Sequence, residues 1–576
     1  MNDISLDALV RELQCLETKC PITKIDSKGN NEWVFKLDFK NVDIEILLTL
    51  PPLFPHTHPK YTIHNPPENW KLHIEGDNRI CYMDNALWVD YHNPLEILLQ
   101  TFNLMVDVLE KNDRGDYAQT YANEFESYWN NQPNIEKFNC FVEASDKVSR
   151  VIVKESQKGG KEKQNVVSII SHDMDSQYEN KVTDLVTILN GLYIPLKWNN
   201  DIAIFLKHIE AWNWDDIRTY IWSNLEEIEK KALKKLTKQK VKKSEYLAFS
   251  FKRPDGGYAF WGIRCKTKDQ VHPLDEKAFV DKITPLYAQR LDKQYLKPRG
   301  GVKLLGDAKI MLIGCGSVGS SIANELVKLG ISKITLVDKD YITSSNTYRH
   351  LTGKAFINSY KAFATKTFLD HYFPYLQLEA HNQSIEDLIR DGKVNLHDFD
   401  IILCAIDHLN TSLWLNSYIY TEGIQTPCIY SWLEVLDVGC HAVLTNMPES
   451  EGCLECLFYD SKQRFTDQLS FCEEGQSVSK SLSGCADLFI PYGSLEAQKT
   501  ALLAVETAYK VLNGGYKENI CISIKGVSED FEKNGFKHST RFLKTSPNNI
   551  LLNGREFANT ICRLCNKKNE HDFSEK

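Results

Sequence analysis

The chain has 576 residues, 42% hydrophobic and 25% charged, with a net charge of −9. That length exceeds one hydrophobic core and predicts several domains of roughly 100–200 residues each. The acidic balance argues against direct nucleic-acid binding, and no apolar run approaches the roughly 18 residues that cross a bilayer. The start, MNDISLDALV, lacks the basic-then-apolar pattern of a signal peptide, so a cytoplasmic protein with no membrane association is expected. With no secretory signal, the sixteen cysteines do not predict a disulfide framework. Each needs its own explanation as core residue, metal ligand or nucleophile.

In chain order, SLDALVRELQCLETKC predicts an opening helix. EWVFKLDFK and VDIEILLTL alternate and predict antiparallel strands. PPLFPHTHPKYTIHNPPENW reads as a Pro/His-rich loop, and Cys81 follows in DNRICYMDNALW. After Trp88, PLEILLQTFNLMVDVLEK predicts an amphipathic helix, with Leu95, Leu98, Leu99, Phe102 and Val106 near helical spacing. Residues 141–175, with QKGGKEKQN at their heart, read as a linker. Residues 176–290 read as a middle domain without a chemical motif. Its eight lysines between Lys230 and Lys243 read first as a solvated helix face and second as a docking surface for an acidic partner.

From Lys309 the pattern changes. KIMLIG is a short apolar strand, CGSVGSSIANELVKLG a glycine turn and helix, and KITLVDKD a second strand. This opens a doubly wound α/β fold, with Gly330 at the helix C-cap and FDIILCAID as a further strand. Gly314, Gly316 and Gly319 form G-x-G-x-x-G, which permits a tight turn and close approach of phosphates to a helix N-terminus. Asp338, nineteen residues after Gly319, suits a ribose hydroxyl. Alone, the motif points to NAD or FAD first. The run DKDYITSSNTYRHL redirects it, because hydride transfer needs no such cluster and a triphosphate does. Asp340 suits a metal, Arg349 and Lys361 suit phosphate oxygens, and Asp407 suits Mg²⁺.

The elements GCGSVG, DKD, SSNTYR, Lys361 in NSYKAFATK and AIDHLNTSLWLN resemble the adenylation domain of ubiquitin-activating enzymes and of the ThiF and MoeB type adenylyltransferases. The resemblance spans roughly residues 285–565. It includes the pairs Asn346/Arg349 and Asp407/Asn416, and it departs at His350 and Ser412, where Gln and Arg are usual. It implies a Rossmann-like domain that uses ATP and Mg²⁺ to adenylate a protein's C-terminal glycine. Gly314, Gly316, Gly319, Asp338, Asp340, Asn346, Arg349, Lys361 and Asp407 would then line the nucleotide. Arg290 is the candidate for an arginine that the family places ahead of the first strand. Cys453-x-x-Cys456 and Cys562-x-x-Cys565 each suit two vertices of a tetrahedral zinc site, and the resemblance places a structural Zn²⁺ there; redox-active or unmetallated thiols are the alternatives. Cys485, in SLSGCADLFIPYGS, resembles the family's catalytic cysteine. It precedes an expected helix with Leu502, Val505, Tyr509 and Leu512 on one face. Cys472 is its rival, with acidic neighbours that disfavour a thiolate. Cys315, Cys404, Cys428, Cys440 and Cys521 read as packing residues.

Given an acyl-activating domain, residues 1–140 resemble a ubiquitin-conjugating enzyme. The order is helix, strands, proline-rich loop, Cys81, Trp88, then a helix from Pro94. His73 stands where that family has an Asn eight residues before the cysteine. An imidazole there suits donation to a thioester oxyanion or orientation of the attacking amine; the alternative is a surface histidine. The fusion resembles the enzyme of CBASS anti-phage operons. That resemblance implies adenylation of the C-terminus of a cGAS-like nucleotidyltransferase, a thioester at Cys485, transfer to Cys81, and conjugation to an amine, a lysine for example. It also implies a homodimer and an inactive adenylation-like domain at 176–290. The expected architecture is multidomain α/β and α+β, with the adenylation domain at 291–576. Two other readings remain: a sulfur-carrier-protein adenylyltransferase with an N-terminal binding module, and a noncatalytic nucleotide-binding scaffold.

Overall fold

The computed structural model describes residues 6–40, 42–67, 70, 72–75, 77–82, 90–114, 118–158, 164–171, 186–198, 212–241, 244–301, 308–460, 462, 464–478, 480–481, 488–489, 491–527, 529–545 and 550–566. The chain divides into two compact units, Met1–Asp292 and Lys293–Lys576. Among the described residues no helix is long and apolar enough to cross a membrane.

The first unit opens with the helix Leu6–Glu12 and a four-stranded antiparallel sheet of Ile22–Gly29, Glu32–Phe39, Val42–Thr49 and Lys60–His64, in sequential order. Asn30 and Asn31 both have positive φ in the first two-residue turn, the geometry that matches the twist of a tight hairpin. The last strand lies inside the stretch expected to be loop. Tyr61 and Ile63 alternate inward there, and the flanking prolines hid so short a period. The helix Pro94–Arg114 lays Leu98, Phe102, Met105 and Leu109 into the same core. Phe102 meets Phe35 and Tyr61 at ring distances of 6.0 and 6.4 Å. Leu95 and Leu99 are only partly buried, at the edge of that core. Asn112, fully buried, ties the helix to the segment before Cys81. Its Oδ1 accepts the Leu72 N–H at 2.9 Å, and its Nδ2 donates to the Leu72 carbonyl at 2.8 Å.

Residues 136–290 contain a closed β-barrel. Around it run Tyr258–Thr267, Val280–Arg290, Glu136–Cys140, Gln164–Ser171, Ser149–Lys158, Val186–Pro195 and Glu245–Lys252, which pairs back to the first. Phe138, Val151, Val153, Ile169, Tyr193 and Phe260 belong to one buried cluster of this barrel. The helices Ala118–Trp129 and Trp214–Ser223 contribute Phe125, Trp129 and Ile217 to a second cluster with Trp261 and Phe249. Two sequence expectations change here. The stretch 141–175, expected as a linker, carries two paired barrel strands, with Lys158 opposite Gln164 at their polar ends. The described residues of 176–290 contribute to a barrel of mixed parallel and antiparallel pairs rather than to a doubly wound parallel sheet. Lys231, Lys234 and Lys235 are solvated on the helix Glu227–Leu236, which buries Leu233.

The second unit is built on an eight-stranded sheet in the order Gln377–His381, Lys333–Val337, Lys309–Ile313, Ile401–Cys404, Cys428–Leu433, Gly439–Thr445, Ile520–Lys525, Ile550–Asn553. Its first five strands are parallel and form the doubly wound part; the last three add on antiparallel. The helix Ser317–Lys328 ends at Gly330, with φ +87 and the Ile331 N–H returning to the Leu326 carbonyl. The helix Ser494–Leu512 buries Ala497, Ala501, Ala504 and Ala508 and packs on Ser317–Lys328. Leu502, expected to share a face with Val505, is 55% exposed. The same helix buries Leu503 and Val505 instead.

Replacing Asn112 with Ala leaves the Leu72 N–H and carbonyl without a buried partner. It is expected to cost about 1–3 kcal/mol, read as a lower denaturant midpoint at unchanged m. A midpoint equal to wild type would show that this tie contributes nothing.

Candidate functional site

The strand Lys309–Ile313 delivers the chain into a turn that two glycines make sterically possible. A Cβ on Gly314, at φ +91, would lie 2.5 Å from the Ala405 carbonyl oxygen, and one on Gly319 would lie 1.8 Å from the Gly314 carbonyl oxygen. Gly316, the N-cap of Ser317–Lys328, differs, since a Cβ there meets nothing within 4 Å. The space before the helix N-terminus is therefore open, and its N–H groups and dipole favour an anion.

One residue of this turn, Cys315, is held through both its N–H and its carbonyl. Asp338 Oδ2 accepts the Cys315 N–H at 2.7 Å, and Asp338 Oδ1 accepts the Asp340 N–H at 2.8 Å. His350 Nε2 lies 2.8 Å from the Cys315 carbonyl, and its Nδ1 lies 3.0 Å from Thr352 Oγ1. Burial lowers the His350 pKa and favours the neutral ring, which can donate to that carbonyl. His350, a departure from the family's Gln, thus braces the turn.

Around this turn the charged groups gather. Lys361 Nζ lies 3.0 Å from Asp340 Oδ2, and its N–H donates to the Asp340 carbonyl at 2.8 Å. Burial alone would lower the Lys361 ammonium, but the carboxylates of Asp338, Asp340 and Asp407 outweigh it and hold the pKa above its ordinary value. Burial raises the Asp338 carboxyl, opposed by Lys361 and the two backbone N–H groups. Asp407, exposed, follows the strand Ile401–Cys404. The Arg349 guanidinium stacks on Tyr492 at 4.4 Å, and the Tyr492 hydroxyl donates to Ser317 Oγ at 3.4 Å. Arg349 Nε is buried and has no hydrogen-bond partner among the described residues, so one charge-assisted donor remains for an anion. Asn346 Oδ1 caps its own turn, accepting from the Thr343 N–H and Oγ1.

Ser412, Asn416 and Arg290 are held in internal contacts. Ser412 is buried with Oγ 3.6 Å from Cys404 Sγ. Asn416 is fully buried, and its Oδ1 accepts the Leu454 N–H at 3.1 Å. Arg290, the candidate for an arginine that the family often takes from a dimer partner, belongs to the first unit. It is held there in a buried bidentate pair with Asp292 at 2.7 and 2.8 Å, and it donates to the Tyr258 carbonyl.

The cysteines separate by surroundings. Cys453, Cys456, Cys562 and Cys565 converge, with every Sγ within 4.8 Å of the others. The Sγ distances 453–456, 453–562 and 456–565 are 3.9, 3.7 and 3.3 Å. Four thiolates about 2.3 Å from a tetrahedral ion stand about 3.8 Å apart, so the cluster fits a metal. Cys315, Cys404, Cys428, Cys440 and Cys521 are buried, as expected of packing residues. Burial, then Glu434, pushes the Cys472 thiol up to about 12, which argues against it as a nucleophile. Cys485 lies outside the described residues.

In the first unit, Cys81 is exposed, and its N–H donates to the His73 carbonyl at 2.8 Å. Its neighbours are anchored, Ile80 by its N–H to the Tyr61 carbonyl and Tyr82 by its hydroxyl to the Pro59 carbonyl at 2.5 Å. His73, at φ +53, donates its N–H to the Tyr128 hydroxyl at 3.0 Å, and its Nδ1 lies 3.5 Å from Glu124 Oε2. Trp88 lies outside the described residues, and Pro94 opens the following helix. Sequence reasoning missed Glu124, Tyr128 and Tyr492. Glu124 and Tyr128 are four apart in AQTYANEFESYW, a helical spacing that could have paired them; nothing local marks Tyr492.

The two kinds of glycine predict opposite defects. Gly316→Ala is expected to weaken ATP binding tenfold or more at an unchanged melting temperature, because the methyl enters only the open space. Gly319→Ala is expected to lower the melting temperature itself. ATP titration and thermal melts of both variants decide this, and equal ATP affinity in Gly316→Ala and wild type would contradict it.

Residues 288–539 match the ThiF family, and residues 14–138 match prokaryotic E2 family B. The ATP-dependent ubiquitin transferase-like protein Cap2 of Pseudomonas aeruginosa is 26% identical over 245 residues, 41% of this chain and 42% of that protein. The NEDD8-activating enzyme E1 catalytic subunit of Caenorhabditis elegans is 30% identical over 26% of this chain and 37% of its own. The sulfur carrier protein ThiS adenylyltransferase of Bacillus subtilis is 30% identical over 27% and 46%. The chain spans less than half the length of each of these relatives. Among solved structures, Escherichia coli MccB with MccA aligns at a TM-score of 0.32 and 19% identity, over 45% of this chain and 67% of that one. With the two family matches on one polypeptide, the chain is a fusion of a prokaryotic E2-like domain and a ThiF-family domain.

Proposed function

We propose that the chain activates the C-terminal glycine of a partner protein with ATP and passes it as a thioester to an amine. The observation that carries this reading is the Lys361 ammonium among Asp338, Asp340 and Asp407, beside an open glycine turn. Hydride transfer has no use for that cluster, whereas a triphosphate and its counter-ion do.

In the first step, a carboxylate oxygen of the terminal glycine attacks the α-phosphorus of ATP. The bond from the α-phosphorus to the oxygen bridging it to the β-phosphorus breaks, and pyrophosphate leaves with that electron pair. Arg349, Lys361 and the N–H groups of the helix Ser317–Lys328 stabilise the negative charge on the phosphates. Asp338 is suited to the ribose. Asp407, helped by Asp340, is suited to hold Mg²⁺, which when bound neutralises phosphate charge. The Cys485 thiolate then attacks the acyl carbon and AMP leaves. Cys81 takes the acyl group by thioester exchange, and an amine, a lysine for example, takes it from Cys81. Carrying both thiols on one chain raises the effective concentration of the second. The four-cysteine cluster holds a structural Zn²⁺ in this reading.

A glycine-ended protein is the substrate class. A cGAS-like nucleotidyltransferase in anti-phage defence is the proposed partner, supported by the fusion architecture and the likeness to a ubiquitin transferase-like protein. A cytoplasmic homodimer completes the proposal.

Pyrophosphate exchange into ATP, driven by a glycine-ended partner, tests the first half. Lys361→Ala is expected to lower it a hundredfold or more, and exchange at the wild-type rate would contradict the assignment. On a non-reducing gel, a thiol-labile adduct that requires Cys485 supports the transfer order. An adduct that survives Cys485→Ala but not Cys81→Ala overturns it. Exchange without any adduct favours a sulfur-carrier adenylyltransferase. Metal analysis of the purified chain is expected to find about one zinc per chain, lost with a lower melting temperature in Cys562→Ser. A zinc content unaffected by that change would remove the metal from these thiols.

A further inference from the structure

We infer that Glu124 and Tyr128 are positioning residues that set His73 as the base for amine attack on a Cys81 thioester. The inference rests on the reading of Cys81 as an acyl carrier. It uses a helix, Ala118–Trp129, that this reading leaves without a task beyond packing on the barrel.

Glu124 and Tyr128 are one helical turn apart and share a face. The Tyr128 hydroxyl does two things there: it accepts the His73 N–H at 3.0 Å, and it donates to Glu124 Oε2 at 3.4 Å. Burial pushes the Tyr128 phenol well above its ordinary value, so it remains a donor. The same carboxylate oxygen lies 3.5 Å from His73 Nδ1. The His73 carbonyl in turn accepts the Cys81 N–H at 2.8 Å. His73 therefore has its backbone gripped from both sides in a left-handed conformation that few side-chain-bearing residues adopt, and its ring lies beside a carboxylate. The nearby pair Arg79 and Glu75 is closed on itself.

This arrangement selects between the two roles open to His73. A carboxylate beside Nδ1 favours the tautomer with its proton on Nδ1, which leaves the lone pair on Nε2. A neutral ring of that tautomer cannot donate from Nε2 to an oxyanion, but it can accept a proton. In the step itself, the neutral amine nitrogen attacks the thioester carbonyl and forms the C–N bond. The C–S bond breaks, and its electron pair leaves on Cys81 Sγ as thiolate. The surplus amine proton passes to His73 Nε2, with the Glu124 carboxylate 3.5 Å from Nδ1 in the place that the aspartate takes in a Ser-His-Asp triad. The proton then returns to the thiolate or to water.

A glycine-ended peptide thioester of mercaptoethanesulfonate, exchanged onto the full chain, loads Cys81 without ATP. Peptide mapping reads the adduct. Discharge is then timed with butylamine and with hydroxylamine. Butylamine must give up its surplus proton, so Glu124→Gln is expected to slow its discharge tenfold or more. Hydroxylamine, mostly neutral at pH 7.5 and a strong nucleophile, needs little base and is expected to discharge within about twofold of wild type. Loading is expected to stay unchanged. Tyr128→Phe, which keeps the ring, is expected to show the same split more weakly. Equal slowing of both nucleophiles would reduce Glu124 to a structural role, and butylamine discharge at the wild-type rate would overturn the inference. Failure of wild-type Cys81 to load would instead sink the acyl-carrier reading beneath it.

Discussion

The candidate nucleotide site hangs on one clamped residue. Cys315 has its N–H in the grip of Asp338 and its carbonyl beside His350. Both peptide groups flanking that residue are thereby anchored inside the turn between Gly314 and Gly319, while a Cβ on Gly316 would meet nothing within 4 Å. The rest of the rim is strung from the same carboxylate. Asp338 holds the Asp340 N–H, the Asp340 carbonyl holds the Lys361 N–H, and the Lys361 ammonium returns to the Asp340 side chain. Burying Asp338 costs desolvation. Two backbone donors and a neighbouring cation offset that cost, as a buried charge requires.

The same logic of surroundings sorts the cysteines. A thiol buried among apolar side chains is pushed toward the neutral form and is chemically quiet, as at Cys404 and Cys521. Four thiols brought within a few ångströms of each other suit a cation in their midst. Cys81 matches neither case, since it is exposed, on an anchored segment, with a histidine backbone hydrogen-bonded to its own. Of these three environments among the described cysteines, the last leaves reactivity open.

Local signals carried much of this in the sequence. The glycine turn, its strand and its helix cap were legible because each is written within about twenty residues. The two C-x-x-C pairs suggested one four-cysteine site, although it closes only through the fold. The barrel was not legible. Its strand at Glu136–Cys140 pairs with Gln164–Ser171 on one side and with Val280–Arg290 on the other, and nothing local announces pairings so distant in sequence. Polar residues at the paired ends of its hairpin read as a linker for the same reason. His350 departs from the familiar pattern, and its place became visible only in the fold, where Nε2 lies 2.8 Å from the Cys315 carbonyl. Glu124 and Tyr128 were overlooked because a helical pair has no meaning until something faces it.

The central claim is that Cys81 carries an acyl group that ATP has activated. Its most direct measurement is peptide mapping of the chain after incubation with ATP, Mg²⁺ and a glycine-ended nucleotidyltransferase partner, quenched at low pH without thiol. The account predicts the partner's C-terminal peptide on Cys81, released by reducing agent and absent without ATP. An ATP-dependent adduct confined to the second unit, with Cys81 unmodified, would contradict it.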